Sequence, residues 1–233
     1  MIDMKRVQIA ILTSLALALA LPAGSLATLT EVGQIPPATP PTIPPATIPP
    51  STPSCPGSPC LAVSRTTGFQ VKMEKMRNLV MVPRNGTIVA WTIMLGKPNA
   101  TQIKFFDTNE GGKASAGIAI LRPQRKPNLT YKLISQSPVV QLEPYFGKTA
   151  QFPLAGTLVV KKGDLVALTV PSWAPALALG FGNTTSWRAS RPKKQCASTG
   201  AQTAHTQVGS AVQYFCLYRT ARLTYSATLI STP

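Results

Sequence analysis

Hydrophobicity of period two constrains this chain more than any other feature. In GFQVKMEK, residues Phe69, Val71 and Met73 alternate with Gln70, Lys72 and Glu74. In ARLTYSATLI, residues Leu223, Tyr225, Ala227 and Leu229 alternate with Arg222, Thr224, Ser226 and Thr228. Leu177, Leu179 and Phe181 alternate with Ala or Gly. Successive side chains of a strand face opposite ways, so each such segment has one buried and one solvated face. GTIVAWTIML at 86–95, with Trp91 inside it, and LVALTV at 165–170 are nearly all apolar and read as central strands. Asn85-Gly86, Gly111-Gly112, Lys162-Gly163-Asp164 and Gly182-Asn183 supply turn chemistry between such segments. No stretch has the 3.6-residue period of a convincing amphipathic helix, and FFDTNEGG, with Asp107 and Glu110, reads as a hairpin loop. The expected fold over 61–233 is all-β: an antiparallel β-sandwich, of jelly-roll type, with about nine or ten short strands.

The N-terminal region follows different rules. Lys5 and Arg6 precede an apolar run from Val7 to Leu21, then Pro22, Gly24 and the small residues of Ser25-Leu26-Ala27. That layout predicts a secretory signal peptide over 1–27. The run is short of the roughly 20 apolar residues of a spanning helix, so an uncleaved signal anchor is the alternative, and the one route to a membrane. Proline pairs at 36–37, 40–41, 44–45 and 49–50 lie among Thr and Ala. Tandem prolines lock φ and hold the preceding residue extended, which predicts a disordered polyproline II linker over 28–60. At 3.1 Å per residue, 35–59 would reach on the order of 75 Å. The linker then separates the 61–233 domain from a membrane or wall.

Export changes how the four cysteines read. Outside the cytosol an even count suggests disulfides, and four cysteines allow three pairings. Local pairing, Cys55 with Cys60 and Cys196 with Cys216, is the simplest. A zinc site is the alternative, but these spacings fit zinc poorly. No metal or cofactor is expected. The location that follows is secreted, or associated with the cell wall or envelope.

Lys and Arg number 23 against 7 Asp and Glu, a formal charge of +16. Signal removal would take away only Asp3, Lys5 and Arg6. A charge this large favours anionic partners such as a cell-wall or other extracellular polymer, or simple solubility. Nucleic acid competes for the same charges, and export argues against it as the main partner. Basic clusters occur at Arg122, Arg125 and Lys126, and in SWRASRPKK at Arg188, Arg191, Lys193 and Lys194. In the second cluster Trp187 could stack on a sugar ring while Arg holds its anionic substituent, and Trp173 is a second stacking candidate. The competing reading makes both tryptophans packing residues.

Catalytic readings are short of residues. His205, the single histidine, lies in AQTAHTQVGSAVQ and reads as a surface loop residue with no carboxylate nearby in sequence. Glycoside hydrolysis needs two carboxylates, which here would be Glu143 or Asp107 facing another carboxylate across a groove. Asp164 belongs to its turn and Glu31 to the linker.

GTLVVKKGDLVALTVP at 156–171 resembles the late hairpin of jelly-roll domains, including C1q/tumour-necrosis-factor-like and carbohydrate-binding modules. The whole layout resembles uncharacterised exported β-sandwich proteins of Gram-positive bacteria. The resemblance implies architecture and location and brings no activity. The function expected is therefore non-catalytic: binding or structural work at the cell envelope, on anionic glycan. The alternatives are a self-associating C1q/tumour-necrosis-factor-like module, which would need an apolar outer face, and a glycan hydrolase.

Overall fold

A computed structural model describes residues 27–33, 52–197 and 202–231. Residues 1–26 of the expected signal peptide and 34–51 of the expected linker lie outside the described residues.

The chain is an antiparallel β-sandwich. Eight strands of five or more residues carry it: β1 (Thr28–Val32), β2 (Val63–Met73), β4 (Gly86–Met94), β5 (Ser115–Pro123), β6 (Thr130–Gln136), β8 (Thr149–Val160), β9 (Leu165–Ala174) and β15 (Tyr225–Ser231). Shorter segments fill the gaps. They are β3 (Met76–Arg77), β7 (Val140–Gln141), β10 (Leu177–Leu179), β11 (Ser186–Ala189), β12 (Ala211–Gln213), β13 (Cys216–Arg219) and β14 (Ala221–Leu223). The short segments account for the excess over the expected strand count.

The smaller sheet has the order β1-β15-β4-β8, and the larger contains β12-β6-β5-β9-β2-β11-β13. Among the eight long strands, the first pairs with the last, the second with the seventh, the third with the sixth and the fourth with the fifth. That is the pairing of a jelly roll, two Greek keys wrapped into a sandwich. The apolar runs take the central places expected of them: β4 lies between β15 and β8, and β9 between β5 and β2.

Alternation explains the core. Leu223, Tyr225, Ala227 and Leu229 are all buried. Ile88, Trp91 and Ile93 from β4 join Ile118 and Ile120 from β5 and Leu168 from β9 in one core, all fully buried. Each such side chain contributes about 1.5–3 kcal/mol by leaving water. Tyr225 Oη donates to the Val166 carbonyl at 2.8 Å and so ties the two sheets together. On β2 the alternation is incomplete, because Gln70 is buried as well as Phe69. Its Oε1 accepts from Leu223 N at 3.0 Å, which satisfies the buried amide.

The β8–β9 turn forms as its residues require. Gly163 has φ +89°, a conformation open to glycine, and Asp164 Oδ2 accepts from Lys161 N at 2.8 Å. Both disulfides pair locally, Cys55–Cys60 and Cys196–Cys216.

Three expectations are corrected. Thr28–Val32, assigned to the linker, are a strand in register with β15, from Thr28 opposite Ser231 to Val32 opposite Ala227. Glu31 on that strand accepts from Ser226 Oγ and Thr228 Oγ1 at 2.5 and 2.9 Å. Residues 52–60, the other end of that segment, lie against the body: Pro53 bridges to Ala178, and Ser54 N donates to Leu177 O at 2.9 Å. Finally, the expected loop at FFDTNEGG is the end of a helix, α1 (Ala100–Asn109). Asn99 caps it in a reciprocal capping box with Gln102.

Candidate functional site

The two tryptophans proposed as stacking platforms are packed inside. Trp173 is fully buried, between Phe106 at 4.8 Å and Phe146 at 5.5 Å. Its Nε1 donates to Asp107 Oδ1 and to the Gly112 carbonyl, both at 3.0 Å. Trp187 is 6% exposed and stacks on Tyr218 at 4.7 Å. Its ring also presses on Gly68, where a Cβ would come within 2.9 Å of it. Neither indole offers a face to solvent. Trp91 is fully buried in its strand, as its sequence context indicates.

The neighbouring cations are divided in the same way. Arg191 donates to Tyr218 Oη at 2.7 Å and to the Ser64 carbonyl at 3.3 Å, so it holds β2 and β13 together. Arg188 Nη1 donates to the carbonyls of Tyr214 and Phe215 at 3.2 and 2.7 Å. Burial lowers its guanidinium from the ordinary arginine value. Lys193 and Lys194 stand exposed on the short 3-10 turn Lys193–Gln195, with Lys193 Nζ 5.7 Å from the Phe215 ring. In the other cluster Arg122 is bound bidentately to the buried Asp164 at 2.7 and 2.8 Å, while Arg125 and Lys126 remain exposed. The cations that do converge are Arg188, Lys72, Arg77 and Arg219, which line one cleft. Three of these four lie outside the clusters visible along the chain. Only strand register brings them together.

His205 is 5% exposed, which corrects its assignment to the surface. Its Nδ1 lies 3.0 Å from Tyr214 Oη and its Nε2 2.9 Å from Ser210 Oγ. Ser210 Oγ donates to the Gln207 carbonyl at 2.6 Å. This hydrogen-bond pattern assigns the proton to Nε2, which donates to Ser210, and leaves Nδ1 to accept from Tyr214. A serine nucleophile needs the opposite arrangement, with an unprotonated nitrogen facing its hydroxyl. Burial pulls the imidazole below its usual pKa, which a hydrogen bond that the ring donates to the Ser210 backbone partly opposes. The ring is a neutral packing element that holds 202–210 against β2, where Thr67 Oγ1 accepts from His205 N at 3.0 Å.

Asp107 and Glu143 do come together, on a single ammonium. Lys113 Nζ lies 2.8 Å from Asp107 Oδ2 and 3.0 Å from Glu143 Oε1. Those contacts, with Asp107 first, raise the lysine above its ordinary value. The ammonium occupies the gap that a glycosidase leaves for sugar and water. Glu110 pairs with Arg65 at 3.1 Å.

The outer face of the smaller sheet has a different character. Its four strands contain no lysine or arginine, and Glu31 is their single charge. Register aligns Leu29, Ile230, Thr87 and Val159 in one cross-strand row, and Glu31, Thr228, Ala90 and Pro153 in the next. Leu29 is 69% exposed and Val159 68%. Met94, at the end of β4, is also exposed. Patterning along the chain identified β4 and β15 but not that the outward residues of this sheet form one surface free of lysine and arginine. The absence of Lys and Arg from GTIVAWTIM and TAQFPLAGTLVV was the available signal.

No protein-family profile, no curated protein and no solved structure matches this chain.

Proposed function

We propose that this protein is an exported, non-catalytic structural module of the cell envelope that associates with further copies of itself through the outer face of β1-β15-β4-β8. The observation that carries the reading is the lack of any lysine or arginine on those four strands in a chain of charge +16. Two copies of such a chain repel each other across most approaches. This face lets them meet without opposing cations, and it gives an anionic partner nothing to hold. Leu29, Ile230 and Val159 supply apolar contact along one row, with Thr87 between Ile230 and Val159. Glu31 adds little repulsion, since Ser226 and Thr228 already hydrogen-bond it. Export is supported by the basic, apolar and small-residue succession of the first 27 residues and by the two disulfides. No helix of the described residues is long and apolar enough to cross a membrane.

The test is the mass of residues 28–233 by analytical ultracentrifugation across micromolar concentrations. A concentration-dependent oligomer is expected. Val159→Lys should weaken it at least tenfold, equivalent to about 1.4 kcal/mol or more, without lowering the melting temperature of the monomer. A monomer at every concentration, or an oligomer indifferent to Val159→Lys and Leu29→Lys, overturns the reading.

A further inference from the structure

We propose that the cleft between the β2–β3 hairpin and the β11–β13 edge binds the phosphate groups of a base-free phosphodiester polymer. The cleft has a volume of about 520 Å³ and is lined by Lys72, Arg77, Arg188 and Arg219, with Asn183, Thr184 and Ser186 as neutral polar neighbours. Strand register builds it. Arg77 lies opposite Lys72, Lys72 opposite Ser186, and Ser186 opposite Arg219. Three cations and a serine thus occupy one row across four adjoining strands. At about 4.8 Å between neighbours, the row extends roughly 14 Å. The pairing of β2 with β11 slips at this point, so that Val71 and Lys72 both reach the cleft. Arg188, two residues beyond Ser186 on the same strand, adds the fourth charge.

These charges are not cancelled. The ion pairs among the described residues involve Arg65, Lys113 and Arg122. Glu74, in the turn between β2 and β3, takes part in none of them. Arg188 and Arg219 are each anchored by neutral backbone carbonyls, Arg219 Nη1 on Asn183 at 3.2 Å. Such bonds fix a guanidinium without neutralising it. Like charges directly opposite each other across a ladder destabilise it, a cost to the fold that a bound anion would relieve.

The geometry favours a particular class of anion. Guanidinium forks and a lysine ammonium match phosphate oxygens, and a row of charges suits a repeating polyanion better than a single ion. Among the described residues no aromatic side chain lines the cleft, and Trp187 on β11 is buried against Tyr218. Proteins that hold single-stranded nucleic acid stack its bases on aromatic rings. A phosphodiester chain without bases is therefore the better fit. The cleft lies on the larger sheet, so this inference stands apart from self-association through the smaller one, and either can fail alone.

The test uses the full chain and a synthetic poly(glycerol phosphate), a phosphodiester chain without bases, at about 150 mM salt, where generic surface attraction is largely screened. The double variant Lys72→Gln/Arg219→Gln is compared with Lys193→Gln/Lys194→Gln, which removes the same formal charge from an exposed turn. The cleft variant should bind at least about tenfold more weakly, the control within about twofold of wild type. Arg219→Lys, which keeps the charge but loses the fork, should bind more weakly than wild type and more tightly than the cleft pair. Equal losses in both double variants, loss with Arg219→Lys as large as with the cleft pair, or no wild-type binding at this salt would each overturn the site. A single-stranded oligonucleotide competing as well as poly(glycerol phosphate) at equal phosphate would overturn the base-free assignment.

Discussion

The two sheets enclose one core and present opposite outer faces. Inward, they are alike: Ile88, Trp91 and Ile93 on one side meet Ile118, Ile120 and Leu168 on the other in one buried cluster. Outward, the β1-β15-β4-β8 sheet carries Thr, Ser, Val, Leu and Ile with one carboxylate, while the larger sheet carries Arg65, Lys72, Arg77, Arg122, Lys132, Arg188 and Arg219 and no acid on its strands. Burial dictates the inward residues of any sandwich and leaves the outward ones open. A difference confined to the outward positions therefore reports on what each face meets. Within the larger sheet the cations divide again. Arg122 and Arg65 face carboxylates and hold the fold, whereas the cleft cations face one another.

The largest effect should come from that second division. Arg122→Ala leaves Asp164 buried at 2% exposure without its partner, and breaking such a pair costs about 3–5 kcal/mol. Lys72→Gln, on the same sheet, should change stability by less than about 0.5 kcal/mol. Urea unfolding of both variants checks the contrast, and similar values would erase the distinction between structural and free cations.

Next come the disulfides. Removing Cys196–Cys216, which spans 20 residues, should cost about 3 kcal/mol, and removing Cys55–Cys60, which spans 5, about 2 kcal/mol. Paired Cys→Ala variants measured by denaturant midpoint test the ranking. A larger loss at 55–60 would mean that residues 52–60 anchor the body more firmly than their loop length implies.

Thr92→Lys sharpens the contrast between sheets. It places a cation in the middle of the uncharged face, opposite Ser226 and Gln151. Self-association should weaken at least tenfold, about 1.4 kcal/mol, in sedimentation, while Lys132→Gln on the other sheet leaves it unchanged.

The smallest expected effect is a pH dependence at His205. Its folded pKa lies below the ordinary 6.5, so the unfolded chain binds the proton more readily. Stability from this group is present in full above about pH 6.5 and falls as pH drops from there toward the folded value. Denaturant midpoints at pH 7.5 and 5.5 should differ in that direction in wild type and converge in His205→Gln.

Much of the strand content was legible along the chain, because a strand's pattern is local. Leu223, Tyr225, Ala227 and Leu229 alternate along the chain and are all buried, and Lys162-Gly163-Asp164 turns as its chemistry requires. Helix α1 escaped because only Ile103 and Phe106 of its ten residues pack inward, too short a face to show a period, although Asn99 and Gln102 carried a capping signature. Thr28–Val32 escaped because their partners lie about two hundred residues away, beside prolines that dominate the local composition. His205 read as exposed because its loop is polar, yet Tyr214 and Ser210 satisfy both ring nitrogens and make burial affordable.

The sequence by itself determined the fold class, the local pairing of the cysteines as the simplest choice, the large positive charge and the residues able to turn. These follow from period, spacing and composition, which need no knowledge of distant neighbours. Only the tertiary structure decided which outward residues share a face. The uncharged sheet and the four-cation cleft both arise from register between strands far apart in the chain, and that register is set by how the whole core closes.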